Sequence, residues 1–335
     1  MRTFLTRRLS LLVFVLLGVS LLIFTISHVI PADPARQAAG PHATTEQVAL
    51  LRAKLGLDKP LPEQYLIYMS GLLHGDLGYS LYSRRPVIED IKDYFPATVE
   101  LALVAMLICL VLGIPLGVLS AVHKDSLIDH LTRVVCIGGV GLPIFWLALL
   151  FQLVLYRWLN WLPAGGRIDP GLAKPETITG LYIVDSLVTG NWPALRSCLV
   201  YITMPAITLA FASVAWVARI TRTSMLETLN QDYIRTARSK GLRERQVIYL
   251  HALRNALIPA ITMIGLQTGA LLSGAFLVEI IFSWPGIGFY TVNAIMAMDF
   301  NAIMTTTLLV AVVYTVTNLV VDILYVAIDP RISYS

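Results

Sequence analysis

Charged side chains fall in blocks along this chain. They leave six uncharged, mostly apolar runs of 22 to 24 residues: Leu9–Ala32, Leu101–His123, Val134–Tyr156, Ser197–Ala218, Asn255–Val278 and Phe300–Val321. At a helical rise of about 1.5 Å per residue, each run can cross a hydrocarbon core about 30 Å thick. Segments this long and apolar keep their backbone satisfied in lipid as helices. The pattern predicts an all-α integral membrane protein with six transmembrane helices. A further uncharged stretch, Ile280–Met298, is interrupted by Pro285, Gly286 and Gly288. A seventh span there would place Arg331 outside, so a broken, re-entrant or half-helical external loop is predicted. Its Pro-Gly-Ile-Gly core is not expected to form regular helix.

Composition agrees with the pattern. Of 335 residues, 56% are hydrophobic and only 14% charged, and the mean hydropathy of +0.72 excludes an ordinary soluble domain. Arg2, Arg7 and Arg8 precede the first run as they would a signal peptide. The apolar stretch exceeds a signal core of about 7–15 residues, however, and predicts an uncleaved helix. Lys and Arg are unevenly shared between loops. Residues 219–258 carry eight basic against three acidic side chains, whereas the loop after the fifth run has neither Lys nor Arg. By the positive-inside rule both termini are cytoplasmic. The overall charge of +4 reflects this asymmetry and is no sign of nucleic-acid binding.

Residues 31–96 form a long external insertion. Thr44 and Gln47 have the spacing of a capping box, followed by Val48, Leu51 and Leu55 at helical intervals and a stop at Gly56. Pro62 opens a second helix with Tyr65, Leu66, Met69, Leu72 and Leu73 on one face, ended by Gly75. The pair reads as a structural cap or as a docking surface for an external partner. A second external segment, Trp158–Arg196, starts with a Pro/Gly turn and contains another short interfacial helix.

Chemistry-bearing motifs are absent. No Gly-Lys dipeptide occurs, so there is no phosphate loop, and neither HExxH nor GxSxG appears. Cys109, Cys136 and Cys198 have no disulfide or metal spacing and read as packing residues. No catalytic residue, metal or cofactor is expected. Ionisable groups in or beside the spans (Glu100, Arg219, Arg222, Glu279, Asp322) sit near span ends, where headgroups, water or snorkelling accommodate them. A midplane carboxylate for ion coupling is missing, which weakens a secondary-transporter reading.

The basic island Asp232–Pro259 is the most informative stretch. Asn230 or Asp232 caps a helix running to Lys240, and Gly241 gives its exit. A second helix, roughly Glu244–Ala256, turns Val247, Leu250 and Leu257 to an apolar surface before Pro259 starts the fifth span. The first helix is either a rigid lever or a basic stretch held by anionic lipid.

With these residues in view, the chain resembles the permeases of bacterial ABC importers. Ala237, Gly241 and the later Leu257–Pro259 look like the EAA loop. Arg235 and Thr236 stand in place of the usual Glu-Ala, and Pro259 lies later than in the general form. DYIRTARSKGL followed by HALRNALIP is similar to the peptide-importer version of that loop. The likeness extends through His28-x-x-Pro31-x-Asp33-Pro34, Gly75-Asp76-Leu77-Gly78, Pro96-Ala97-Thr98-x-Glu100-Leu101, Thr221-Arg222-x-Ser224-Met225, Phe282-Ser283-Trp284-Pro285-Gly286-Ile287-Gly288 and Asp329-Pro330-Arg331.

The resemblance is to the B-type permease subunit of dipeptide/oligopeptide importers, and it implies the type I ABC importer fold. Residues 1–96 would hold the first helix and the external insertion. Residues 97–327 would form the five-helix core, with a coupling helix at about 231–241, and 328–335 a short cytoplasmic tail. The implied location is the bacterial inner membrane. The implied partners are a second homologous permease in a heterodimer, two ABC ATPases that hydrolyse ATP, and an external substrate-binding protein. Tyr233, Arg235, Thr236, Ala237, Arg238, Lys240 and Gly241 would couple to the ATPase. Tyr233, Ala237 and Gly241 would share one helix face, and Arg235 and Arg238 would meet acidic or polar ATPase surface. Trp284, Pro285, Gly286 and Gly288 would line the external mouth and contact substrate or binding protein, or else act as interfacial anchors. The branch also includes importers of nickel chelates, glutathione and oligosaccharides.

Overall fold

A computed structural model describes residues 2–29, 34–39, 43–54 and 56–328. Among these the chain is helical throughout: α1 (Arg2–Val29), α2 (Pro34–Ala39), α3 (Thr45–Lys54), α4 (Leu61–Leu73), α5 (Val87–Val122), α6 (Leu127–Gly141), α7 (Ile144–Trp158), α8 (Tyr182–Val188), α9 (Trp192–Leu229), α10 (Asp232–Ser239), α11 (Leu253–Ile281), α12 (Ile287–Met296) and α13 (Phe300–Ile328). Of the expected features, Pro31, Asp33, Leu55 and Asp329-Pro330-Arg331 lie outside the described residues, as do residues 30–32 at the end of the first run and the tail beyond Ile328.

Among the described residues five helices are long and apolar enough to cross a membrane, and they take up most of the first, second, fourth, fifth and sixth expected runs. The third, Val134–Tyr156, is not the single rod its composition suggested. It is divided between α6 and α7, which bend by 109° at the break. Pro143 explains the bend. Leu142 before it is extended (ψ 130°), as a residue preceding proline prefers, and Pro143 supplies no N–H to continue α6. Counted as one bent span, the pair brings the total to six.

By contrast, Pro259 does not start a helix. It lies inside α11, which follows directly from the helical turn Glu244–Gln246 and a π-helical turn, Val247–Ala252. That wider turn shifts the face presented by later residues. Val247 is buried, Leu257 is half-buried and Leu250 is exposed, against the expectation that all three face an apolar surface.

The chain divides into two compact units, Met1–Ala97 with Pro285–Thr315, and Thr98–Trp284 with Val316–Ser335. In the first, the capping box forms as read. Thr44 N–H donates to Gln47 Oε1 at 2.9 Å, and Gln47 N–H to Thr44 Oγ1 at 3.3 Å. Helix α4 lays Tyr65 and Tyr68 against Phe24 of α1, and Tyr65 shares a 2.8 Å hydrogen bond with Ser20. The inward face is therefore Tyr65, Tyr68, Met69 and Leu72, while Leu66 and Leu73, expected on it, point outward.

Two buried carboxylates organise the rest of this unit. Asp90 accepts from Ser83, Arg85 and Tyr290, and Asp299 accepts from Ser80 and from the backbone N–H groups of Tyr82 and Ala302. Together they fix the loop before α5 to α12 and to the start of α13. Helix α12 is apolar and ten residues long, the half-helix anticipated for Ile280–Met298. However, the non-helical core extends only to Gly286. Ile287 opens α12, and Gly288 is helical and buried.

In the second unit α9 is the central post. Gly113 and Gly117 of α5, four residues apart, sit where a Cβ would come within 3.0 Å of Val217 and 2.6 Å of the Ala218 carbonyl oxygen. Gly139 of α6 similarly approaches Ala215. Small residues at such spacing let membrane helices touch backbone to backbone, where packing rather than hydrophobic expulsion drives association.

Candidate functional site

Helix α10 is short, and its ends define it. Gln231 occupies the N-cap in extended geometry without a side-chain cap. Neither residue expected to cap does so. Asn230 turns back to donate to the Leu226 carbonyl at 2.8 Å, closing α9, and Asp232 is the first helical residue, where a negative charge suits the helix dipole. The exit is as read. Gly241 adopts φ +74°, its N–H bonds the Arg238 carbonyl at 2.9 Å, and Leu242 N–H reaches the Ala237 carbonyl at 3.4 Å. This is a Schellman termination. A Cβ at Gly241 would meet nothing within 4 Å, so its requirement is conformational rather than steric.

The two faces of α10 differ sharply. Ile234 and Ala237 are buried in a socket formed by Val118 and Ala121 of α5, Met225 of α9, and Val247, Ile248, Ala252 and Ala256 beyond the turn. Ala237 thus anchors the helix to its own chain, in place of sharing an outward face with Tyr233 and Gly241. Tyr233, Arg235, Thr236, Arg238 and Lys240 are exposed. Not all are uncommitted. Arg238 grips Glu244 through two hydrogen bonds of 2.7 and 3.1 Å, bracing the turn after Gly241, and Asn255 donates to Tyr233 Oη at 2.8 Å. Arg235 meets Asp232 at only 3.5 Å, and Lys240 has no ionic partner among the described residues. The helix therefore offers an outward surface of Tyr233, Arg235, Thr236 and Lys240 on an apolar base held by three other helical segments.

Beside that socket lies an ion pair the sequence reading missed. Asp129 of α6 is fully buried and accepts from Arg222 Nε at 2.7 Å and Nη2 at 2.8 Å. Ser120 Oγ and the Asp125 N–H also donate to it at 2.5 and 3.0 Å, and Arg133 Nη2 lies 3.6 Å away. Ser126 three residues before Asp129 is a helix-start signature that was visible in the sequence, and Ser126 is indeed the N-cap. Nothing in the sequence paired Asp129 with Arg222.

A second missed constellation holds the segment after α7. Arg167 is buried and donates to Glu100 through Nε at 2.9 Å and Nη2 at 2.7 Å, and also to the Gly180 carbonyl. Its guanidinium lies 3.6 Å from the Tyr182 ring centre. The other Glu100 oxygen accepts from Ile183 N–H at 2.7 Å. Next to Arg167, Gly166 N–H bonds the Phe282 carbonyl at 2.8 Å, and a Cβ on Gly165 would fall 2.1 Å from that oxygen. Asp185 of α8 closes the segment on itself. Burial raises its pKa, but hydrogen bonds from Thr179, Gly180 and Ile178 outweigh burial and hold it below the usual carboxylate value.

These contacts correct two expectations. Glu100 and Glu279 are buried and bonded within the chain, Glu279 accepting from Thr98 at 2.7 Å, so headgroups and water are not what accommodates them. Trp284 is 1% exposed, which leaves no surface for direct contact with an external ligand. Gly286 and Gly288 are buried as well, and Pro285 is half-buried.

Comparison with known proteins bears on the whole chain. Residues 113–334 match the family model described as binding-protein-dependent transport system inner membrane component, and residues 1–102 match its N-terminal companion. The probable D,D-dipeptide transport system permease protein DdpB of Escherichia coli (strain K12) is 48% identical over 321 residues, covering 96% of this chain and 94% of that protein. The dipeptide transport system permease protein DppB of Alkalihalophilus pseudofirmus is 45% identical, with 98% of each chain covered. The glutathione transport system permease protein GsiC of Escherichia coli O6:H1 is 37% identical over the full length of both.

Proposed function

We propose, for a chain that belongs to the family of binding-protein-dependent transport system inner membrane components, that it is the permease subunit of an ATP-driven importer of dipeptides or short oligopeptides. The similarity to dipeptide permeases over nearly the whole length supports the peptide class. Glutathione, itself a small peptide, is the alternative cargo that a relative's name supports.

The observation that carries the mechanism is the seat of α10. An exposed helix whose base residues Ile234 and Ala237 are locked among α5, α9 and the Val247–Ala252 turn moves as one body with them. A push on Tyr233, Arg235, Thr236 and Lys240 therefore reaches the spans without being absorbed by a soft joint. In this reading the pushing partner is a cytoplasmic ATPase, one of a pair, and ATP is hydrolysed there. A second, homologous permease completes the path, and an external binding protein delivers cargo. Both termini are cytoplasmic, in keeping with the basic side chains around α10. Trp284, Pro285, Gly286 and Gly288 shape the outer mouth from beneath its surface.

The test is uptake of a radiolabelled dipeptide into vesicles holding the assembled complex. Uptake should require both ATP and the loaded binding protein. Uptake driven by an ion gradient without ATP would overturn the reading.

A further inference from the structure

Where α9 begins, Trp192, Leu195, Arg196, Leu199, Val200 and Thr203 line one side of a groove closed by Leu162, with a volume of about 400 Å3. The residues recur at helical intervals of three and four, so they form one continuous stripe. From Trp192 to Thr203 the stripe runs about 16 Å, close to the depth of half a hydrocarbon core. Its chemistry is graded along that length. Trp192 and Arg196 are exposed at the start, while Leu199 and Val200 follow inside the uncharged run. Thr203 spends its hydroxyl on the Leu199 carbonyl at 2.7 Å, so that polar group is satisfied within the helix. Among the described residues Arg196 has no hydrogen-bonding or ionic partner. This contrasts with Arg167, which is fully committed.

A guanidinium without a protein anion, beside an indole and above an apolar channel one leaflet deep, matches one ligand chemistry. A phosphodiester pairs with arginine through two parallel N–H donors, and an acyl chain fills the apolar part. An amphipathic ring such as Trp192 is stable at the headgroup level. We propose that this groove is a binding site for one phospholipid, with its phosphate on Arg196 and an acyl chain along Leu199, Val200 and Thr203. The inference needs only that α9 crosses a bilayer, so its failure leaves the transport reading untouched.

The probe is phosphatidylglycerol carrying a photoreactive group in mid-chain, mixed into phosphatidylcholine vesicles that hold the assembled complex. Peptide mapping should place label within residues 192–203. Arg196→Gln should lower that label about tenfold, the scale of losing charge-assisted hydrogen bonds, and Val200→Trp should lower it by filling the groove. Arg196→Lys should retain part of it. Melting temperature and dipeptide uptake identify variants that remain folded. Equal labelling in wild type, Arg196→Gln and Val200→Trp would mean an annular lipid without a site and would overturn the proposal. So would absence of label together with cross-linking of a cysteine at Val200 to the second permease.

Discussion

Arg222 holds the buried Asp129 with two nitrogens at once, at 2.7 and 2.8 Å, binding α9 to the first turn of α6. Through Ser120, which bonds both partners, the same pair reaches the end of α5. The socket of α10 draws on Val118 and Ala121 of α5 and Met225 of α9, so this ion pair fixes the walls against which the helix sits.

Removing one partner should therefore cost more than removing both. Arg222→Ala leaves a carboxylate with no solvent exposure whose remaining cation is Arg133 at 3.6 Å, a loss toward the lower end of about 3–5 kcal/mol. Thermal unfolding of detergent-solubilised protein should show Arg222→Ala and Asp129→Ala strongly destabilised, with a combined Arg222→Met and Asp129→Asn variant partly restored. Three variants melting alike, close to wild type, would show that the pair carries no structural weight.

At Gly241 the constraint is backbone conformation alone. Gly241→Leu must hold a branched side chain at φ +74°, at a cost of about 1 kcal/mol or more, whereas Asn tolerates that region. Gly241→Leu should reach the membrane yet show uptake falling severalfold relative to ATP hydrolysis, and Gly241→Asn should stay close to wild type. Equal uptake per ATP in all three would refute the lever.

Trp284→Ala should act on the fold. Truncating a buried tryptophan costs about 3–5 kcal/mol, so the amount of folded, membrane-inserted protein should drop. Gly165→Ala should match it, because the added Cβ would lie 2.1 Å from the Phe282 carbonyl oxygen. Quantitative blotting of membranes with size-exclusion profiles checks both. A fully assembled Trp284→Ala complex with impaired stimulation by the binding protein would restore a direct role at the mouth.

Topology can be read by cysteine labelling without first removing the native thiols, since Cys109, Cys136 and Cys198 are all buried. Cysteines at Ser70 and Val188 should react with an impermeant reagent in spheroplasts, and one at Ser239 only after permeabilisation. Val188 suits the purpose because its side chain is exposed. Reaction of Ser239Cys in sealed cells would invert the orientation.

The sequence by itself determined whatever depends on local chemistry or on one-dimensional pattern. Runs of uncharged residues gave the spans, because lipid penalises charge wherever it falls. Thr44 with Gln47, and the glycines at 56, 75 and 241, gave helix ends, because caps and left-handed exits are set by neighbours a few residues away. The outward residues of α10 were likewise visible as a basic, polar stretch. Tertiary structure alone decided which polar groups meet across long separations. Arg167 reaches Glu100 across 67 positions and Arg222 reaches Asp129 across 93. No periodicity encodes such pairings, and a buried charge reads in sequence like an exposed one. The same limit hid the inward turn of Ala237 and Trp284, for burial belongs to the helices that pack against a residue and not to the residue itself.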